Sequence, residues 1–498
     1  MSAYGRLLGA GLLLARNDAL LPRELEGLYP PGLKFVANLS RIAAGSSSRV
    51  GRPGERLARS LERLGPVAIK LGQLLSTRAD IFGETFALDL ARLKDRLEAF
   101  PTDQARREVE LTLGRRLDSL YASFEPPVAA ASLAQAHPAT LLDGRKVAVK
   151  VLRPGIALRV AQDAEAMALA GRLVERWSPA ARRLEPRALA ATVIRATELE
   201  LDLRLEAAGA DELAEVMARD GYMSTPKIVW EGVGKRVLTQ EWAPGAALSD
   251  EAALTLPGLD RQALADNLIR AFLAQALDHG VFHADLHEGN LFVAAPDKVT
   301  AVDFGIIGRL GAPERRYLAE ILWGFLEKDY DRVAQVHFEA GYVPGGHSPA
   351  AFAQALRAVG EQVFGRPANE ISMSRVLIQL FEITALFDMK LRPELVLLQK
   401  TMMTVEGVAR RICPEHDIWA AADPVVRRWM LRELSPAAKA RRFAEEGLSA
   451  LRNLARLLEN PPQPAVAVVE VEEPHPARWF AFGAVTAAVV FLLAAWLV

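Results

Sequence analysis

The residues of this chain that could do chemistry together lie in one short stretch. His283-Ala284-Asp285-Leu286-His287-Glu288-Gly289-Asn290 runs into Leu291-Phe292-Val293, and Val302-Asp303-Phe304-Gly305 follows soon after. A carboxylate, a carboxamide five positions on and a second carboxylate thirteen beyond that suit phosphoryl transfer. That reaction needs one group to orient an attacking hydroxyl or water, and oxygen ligands for the hard cation Mg²⁺. Asp285 suits the first task; Asn290 and Asp303 suit the second. Two short strands between Asn290 and Asp303 would turn the chain back so that both side chains face one ion. His283 and His287 stand four apart with no helix to align them, which favours a structural role over a zinc site.

A nucleotide's phosphates also need a cation held by a partner carboxylate. Val147-Ala148-Val149-Lys150 places a lysine on a strand, as in the protein-kinase signature, and the Asp285, Asn290 and Asp303 set has kinase spacing. Candidate partners for Lys150 crowd into Glu198-Leu199-Glu200-Leu201-Asp202-Leu203-Arg204-Leu205-Glu206, where Glu200, Asp202 and Glu206 cannot all face one way on a helix. Ahead of the lysine strand, where a kinase carries a glycine-rich loop, stands Val128-Ala129-Ala130-Ala131-Ser132-Leu133-Ala134-Gln135-Ala136. Glycines let backbone amides approach phosphates and tolerate positive φ, and alanines remove that freedom.

The elements that must hold these residues follow from hydrophobic period. Up to about residue 118 the pattern is helical, with apolar residues at three- and four-residue spacing in 56–64, 67–75 and 86–97. Strand-like alternation begins near Pro127, and Asp143-Gly144 between 137–142 and 146–152 signals a hairpin with Val147, Val149 and Val151 on one face. A helical stretch over 188–217 precedes strands over 227–230 and 236–241. From Arg261 the pattern is mostly helical, broken by strand-like pieces at 291–294 and 299–302. The expected class is α+β, a two-lobed kinase-like fold: a helical extension (1–118), a small mixed lobe (119–245), a helical lobe (246–440), a helix and linker (441–477) and an apolar anchor (479–498).

Composition narrows the functional classes. The 498 residues are 51% hydrophobic and 24% charged, enough for about three units with ample core. Lys and Arg number 60 against 61 Asp and Glu, and a net charge of −1 gives no basic field for nucleic acid. Cys413 is the only cysteine, so neither an internal disulfide nor a cysteine zinc cluster is available. No Gly-x-Gly-x-x-Gly follows a strand, which argues against a flavin-dependent hydroxylase. Residues 479–498 carry no charge and are interrupted only by Gly483 and Thr486, a run that as a helix spans roughly 30 Å of hydrocarbon. Trp479 and Trp496 would sit at the two interfaces. Residues 7–15 form a short apolar run without a small-residue cleavage site, so a signal peptide is not expected. A tail-anchored domain facing the cytoplasm is the expectation.

With these residues in place, the chain resembles the UbiB-like (ADCK) family of atypical kinases, which serve ubiquinone biosynthesis. The alanine-rich loop is that family's substitute for the glycine loop, and Lys70-Leu71-Gly72-Gln73 matches its Lys-x-Gly-Gln motif. Pro66 can open this helix, Lys70 and Gln73 share a face, and Gly72 permits close packing. The resemblance implies that the extension folds over the nucleotide site, with Lys70 paired to an acidic Glu-x-Asp motif matched by Glu200-Leu201-Asp202, leaving Glu206 for Lys150. It implies ATP bound by residues 128–136, Lys150 and Glu206, Mg²⁺ held by Asn290 and Asp303, and Asp285 as the catalytic group. It also implies a place at the inner cell membrane, with ubiquinone-biosynthesis enzymes and polyprenyl lipid intermediates as partners and no role for nucleic acid. Many members read His-Ala-Asp-Pro-His-Pro-Gly-Asn, and here Leu286 and Glu288 replace both prolines. Two alternatives remain: a protein kinase acting in trans, against which stand the gate, the alanine loop and Ala284 in place of the usual arginine; and a catalytically silent scaffold.

Overall fold

In the computed structural model the described residues are 2–17, 19, 51–76, 84–91, 93, 98–177, 185–363, 383, 386–389 and 393–433. The small lobe is built on β1 (Tyr121–Phe124), β2 (Ala129–Ala130), β3 (Ala134–Leu141), β4 (Lys146–Leu152) and β5 (Val237–Glu241). The sheet order is β1-β3-β4-β5, all antiparallel, with β2 sharing the outer edge of β3 with β1. The Asp143-Gly144 hairpin forms as its sequence requires, with Gly144 at φ 86°. Alternation then assigns the faces. Val147, Val149 and Val151 are fully buried against Tyr121, Phe124 and Val237, beneath Ala105 and Val109 of a helix over Thr102–Leu113. Ala148 and Lys150 point the other way, alongside Pro138 and Ala136 of β3.

That second face is covered by helices from both sides of the sheet in sequence. The extension contributes α1 (Ala3–Arg16), α2 (Pro53–Leu64), α3 (Pro66–Ser76) and α4 (Glu84–Ala91), followed by α5, the Thr102–Leu113 helix. After β4 come α6 (Ile156–Trp177), α7 (Pro186–Glu200) and α8 (Leu203–Asp220). Val67, Leu71 and Leu74 of α3 join Leu133, Ala134, Leu152, Val160, Val193, Leu203 and Ala207 in one apolar cluster, so the extension packs directly onto the lysine side of the sheet. Gly72 makes the close approach inside the extension possible: a Cβ there would stand 2.3 Å from Leu93 and 2.7 Å from Leu61.

The helical expectation over 188–217 needs correction. The chain breaks at Leu201-Asp202, where Asp202 is extended (φ −122°, ψ 90°) and its carboxylate accepts the Arg204 amide at 3.2 Å as the N-cap of α8. Residues 227–230 also differ from the strand expected there, since Ile228 makes a single bridge to Gln240 and a 3₁₀ turn occupies Trp230–Gly232. Strand structure starts at Tyr121, before Pro127.

The helical lobe centres on α9 (Arg261–Ala274), whose Leu264, Leu268, Ile269 and Phe272 are buried among residues of neighbouring helices and loops. On it rest a sheet of β6 (Ala246–Ala247), β8 (Leu291–Ala294) and β9 (Lys298–Ala301), and a pair formed by β7 (Val281–His283) and β10 (Ile307–Arg309). Then follow α10 (Ala312–Leu326), α11 (Tyr330–Glu339), α12 (Pro349–Val363), α13 (Pro393–Ile412) and α14 (Ile418–Glu433). β8 and β9 are the strand pair expected between Asn290 and Asp303. β7 and β10, three residues each, are too short to show a period. No helix among the described residues is long and apolar enough to cross a membrane, and the span expected over 479–498 lies outside them.

Candidate nucleotide site

Lys150 sits where sheet and helices converge. Its Nζ donates to Glu206 Oε1 at 2.7 Å and Oε2 at 3.0 Å, and to Asp303 Oδ1 at 3.1 Å. The register of β4 sets the lysine's direction, and the break at Asp202 places Glu206 in the first turn of α8 to meet it. Asp303 reaches the same point from a left-handed backbone at φ 62°, a conformation that aspartate tolerates better than most residues. Burial alone would lower the Lys150 ammonium, but Asp303 and Glu206 outweigh it and hold the group above the usual lysine range. The same ammonium, aided by the Gly305 amide, keeps Asp303 down at about 2 against the effect of burial. Burial pushes Glu206 up to about 7, opposed by Lys150. Three ionisable groups thus meet at one point, with Glu206 nearly buried, Lys150 one-quarter exposed and Asp303 half exposed.

The Asp285 loop is fastened from within. The buried His283 accepts the Asp285 amide on Nδ1 at 3.1 Å, which leaves Nε2–H to donate to Val302 O at 3.3 Å. Burial lowers its pKa, consistent with a neutral ring serving as a fastener. Asn290 donates Nδ2 to Asp285 O at 3.0 Å, and its backbone carbonyl accepts the Val302 amide at 2.9 Å, which ties the loop to the segment leading into Asp303. His287 Nε2 lies 3.7 Å from Asp285 Oδ2. With the Asn290 amide nitrogen committed, its oxygen is the end left for a cation. Among the described residues no cluster of three or more His, Cys, Asp or Glu side chains could enclose a metal by itself. One carboxylate and one carboxamide nevertheless fit Mg²⁺, which is normally held by one or two protein oxygens together with phosphates and water.

The alanine segment divides. Val128 and Ala129 are exposed, and Ala130 and Ala131 are partly so, at a tight turn into β3. Ser132 is buried, and Leu133 and Ala134 pack into the apolar cluster beneath α3. Ala136 shares the face of Lys150. The Gln135 side chain does not share that face. One residue earlier on the strand, it points to the opposite face, where it accepts the Phe100 amide at 3.0 Å and donates to the Phe100 carbonyl at 3.1 Å.

In the extension Lys70 is paired with Glu200, the last residue of α7. Asp202 is not part of that pair: its carboxylate caps α8 and binds the Arg204 guanidinium at 2.6 and 2.9 Å. Gln73 is half-buried on α3, and its carbonyl accepts the Ser76 hydroxyl at 2.6 Å.

Comparison with known proteins gives the family. Residues 92–337 match a model described as ABC1 atypical kinase-like domain, and residues 356–417 one described as UbiB helical domain. A protein of Marinobacter nauticus named "Probable protein kinase UbiB" is 40% identical over 389 residues, covering 77% of this chain and 71% of its own length. The chain belongs to the UbiB family of atypical kinases. A UbiB protein of the same name from Cellvibrio japonicus is 36% identical over 471 residues, covering 92% of this chain and 84% of its own. Among solved structures, the Rv3197–erythromycin complex from Mycobacterium tuberculosis shares the fold with a TM-score of 0.54 at 24% identity, covering 79% of this chain and 98% of that one.

The two departures from the UbiB proline pattern are absorbed locally: Leu286 is buried in the helical lobe, and Glu288 pairs with Arg411. One contact has no counterpart among the sequence expectations. α8 lies against the segment after Asp303, with Gly209 facing Ile307, where a Cβ would come within 2.3 Å, and Glu212 binding Arg309 through both oxygens at 2.6 and 2.8 Å. The signal was an invitingly placed glycine three residues after Glu206, but its partner lies about a hundred positions away.

Proposed function

We propose that this chain binds Mg²⁺–ATP at the Lys150, Asp285, Asn290 and Asp303 site and transfers or hydrolyses its γ-phosphoryl group in support of ubiquinone biosynthesis. The observation that carries the reading is the meeting of Lys150 with Glu206 and Asp303, residues 56 and 153 positions away, at contact distance. A structural ion pair would not also need Asp285 and Asn290 tethered to the segment that ends in Asp303. Lys150 binds phosphate oxygens, with Glu206 holding the ammonium in place. Asp285 accepts the proton of the attacking hydroxyl or water. Mg²⁺, when bound, draws charge from the phosphate oxygens, and Asn290 and Asp303 are the residues that would hold it.

A protein kinase acting on other chains is less favoured. β10 pairs with β7 directly after Asp303-Phe304-Gly305 and α10 begins at Ala312, so little chain is left to form a platform for a peptide. The extension also occupies the face beside Lys150. Membrane attachment through 479–498, with polyprenyl intermediates and their modifying enzymes as partners, completes the proposal. It is supported by the charge-free run in the sequence. The test is quinone profiling of a strain lacking the gene, complemented at matched abundance with wild type, Asp285→Asn or Asp303→Asn. Both variants are expected to fail. If both restore quinone fully, the protein is a scaffold; if Asp285→Asn alone restores it, nucleotide binding is the function and turnover is dispensable. A chain lacking 479–498 should leave the membrane fraction in an alkaline carbonate wash, and retention would refute the anchor.

A further inference from the structure

The alanine turn is gripped by a side chain that none of the nucleotide-site motifs includes. Arg153, three residues after Lys150 and just past the end of β4, donates Nε at 3.0 Å and Nη2 at 2.8 Å to the carbonyl oxygen of Ala131. Its own amide donates to Leu133 O at 2.8 Å, so one residue spans both ends of the 131–133 turn. The Ala131 amide is used as well, closing the turn onto Ala134 O at 2.8 Å. The guanidinium also lies 5.7 Å over the ring of Phe100, whose amide and carbonyl are both held by the buried Gln135. Gln135 is fixed in turn by His137 Nε2 at 2.8 Å, and His137 by Glu125 O at 2.8 Å. Phe100 therefore forms a fixed wall, and Arg153 is braced between that wall and the turn.

A trans peptide holds its C=O and the following N–H on opposite sides. Fixing the Ala131 oxygen toward Arg153 therefore fixes the direction of the Ser132 N–H. A carbonyl that accepts two charge-assisted hydrogen bonds resists the peptide rotation that a turn makes most readily. With a methyl at Ala131 limiting backbone freedom from one side and Arg153 limiting it from the other, the turn presents one arrangement of amides to whatever lies beneath it.

We propose that Arg153 is a specificity-determining positioning residue, which holds the alanine turn in the shape that sets the preference between nucleoside triphosphate and diphosphate. The proposal rests on the reading that the turn covers the phosphates of a bound nucleotide. Loosening the turn from either side should have one and the same consequence. Ala131→Gly and Arg153→Gln are each expected to change the ratio of ATP to ADP dissociation constants by about threefold or more, in the same direction, with the double variant no further displaced than the stronger single one. Arg153→Lys, which keeps the charge but not the forked pair of donors, should fall between wild type and Arg153→Gln.

The measurement is equilibrium binding of ATP and of ADP to the full-length protein with Mg²⁺ present, with thermal melting alongside. A side chain that merely stabilises the lobe would lower the melting temperature and leave the ratio alone. Wild type that binds neither nucleotide would remove the underlying reading of the site. Wild type that binds both, with the ratio moved by Ala131→Gly but not by either Arg153 variant, would overturn the proposal and leave the site intact. Shifts that add in the double variant would mean that Arg153 acts by some route other than the turn, and would overturn it too. If Arg153→Gln fails to fold, Arg153→Lys carries the same comparison.

Discussion

Two lysine–glutamate pairs flank the break between α7 and α8, and they differ in what surrounds them. Glu206, in the first turn of α8, meets Lys150 together with Asp303, at the meeting point of β4, α8 and the loop after β9. Glu200, at the end of α7, meets Lys70 of the extension, in a place about one-fifth exposed on both sides. The first cluster is held by strand register and by the apolar core beneath it. The second joins two elements that pack through Val67, Leu71 and Val193 and would stay together without it. The two lysines are about equally exposed, so what separates the sites is the company each keeps: Lys150 bridges a nearly buried Glu206 and a half-exposed Asp303, whereas Lys70 meets Glu200 between partly wet surfaces, where a pair contributes little. Under the function proposed above, the same chemistry would serve ligand binding in one place and orientation of the extension in the other.

The sharpest break in the comparison is Asp303→Asn. It removes a carboxylate from both the lysine cluster and the cation site, so Mg²⁺-dependent ATP affinity should fall by at least about tenfold, measured by calorimetry with and without Mg²⁺. Unchanged affinity would remove Asp303 from the site. Next in size is Gly72→Ala in the extension. The new methyl would meet Leu93 at 2.3 Å and Leu61 at 2.7 Å, and the overpacking should cost about 1–3 kcal/mol in chemical denaturation. ATP affinity should fall less than in Asp303→Asn, because the strain lies on the side of α3 turned toward α2 and α4. A neutral melting curve would mean that α2, α3 and α4 adjust to one another freely.

Much of this contrast is written in the order of the residues. The Asp285, Asn290 and Asp303 set and Lys150 are visible because their spacing along the chain is itself the signal, and the hairpin leading to Lys150 is visible because Asp143-Gly144 and alternating valines announce it. The position of Gln135 is not, since facing the nucleotide or the core depends on one residue of register, and an alanine-rich strand carries no alternation. The break at Asp202 is signalled by an aspartate ahead of an apolar run, but helical period continues on both sides and hides it. β7 and β10 are invisible because three residues make no pattern, and the positive φ of Asp303 is imposed by contacts far away in sequence. What local chemistry decides is legible; what depends on pairing between distant segments is not.

A smaller effect separates the pairs by pH. Glu206 is pushed up to about 7 in the fold, above the usual carboxyl range. A carboxyl raised in the folded state favours folding while it keeps its proton, so its contribution is full below the unfolded carboxyl pKa and is lost as pH rises through about 7. Between pH 5 and 7.5 the ligand-free wild type should lose on the order of 1 kcal/mol relative to Glu206→Gln, read from paired denaturation curves. Parallel curves would mean that Glu206 is ionised throughout, with Lys150 dominating its surroundings.

The smallest effect belongs to Lys70→Ala, and it tests whether the pairs are distinct at all. Lys70 and Glu200 are partly exposed and their elements share an apolar contact, so stability should change by no more than about 1 kcal/mol. Mg²⁺–ATP affinity should stay within about threefold of wild type, while Lys150→Ala weakens it well beyond that, since only Lys150 is placed beside Asp303. Amide exchange in α3 should quicken slightly in Lys70→Ala and not in Lys150→Ala, because only the first lysine lies on α3 and adds a contact to the apolar packing that holds it. If Lys70→Ala instead weakens nucleotide binding as much as Lys150→Ala, the lysine of the extension reaches the phosphates itself. The two pairs would then be alternating halves of one site, with Glu200 holding Lys70 aside whenever no nucleotide is bound.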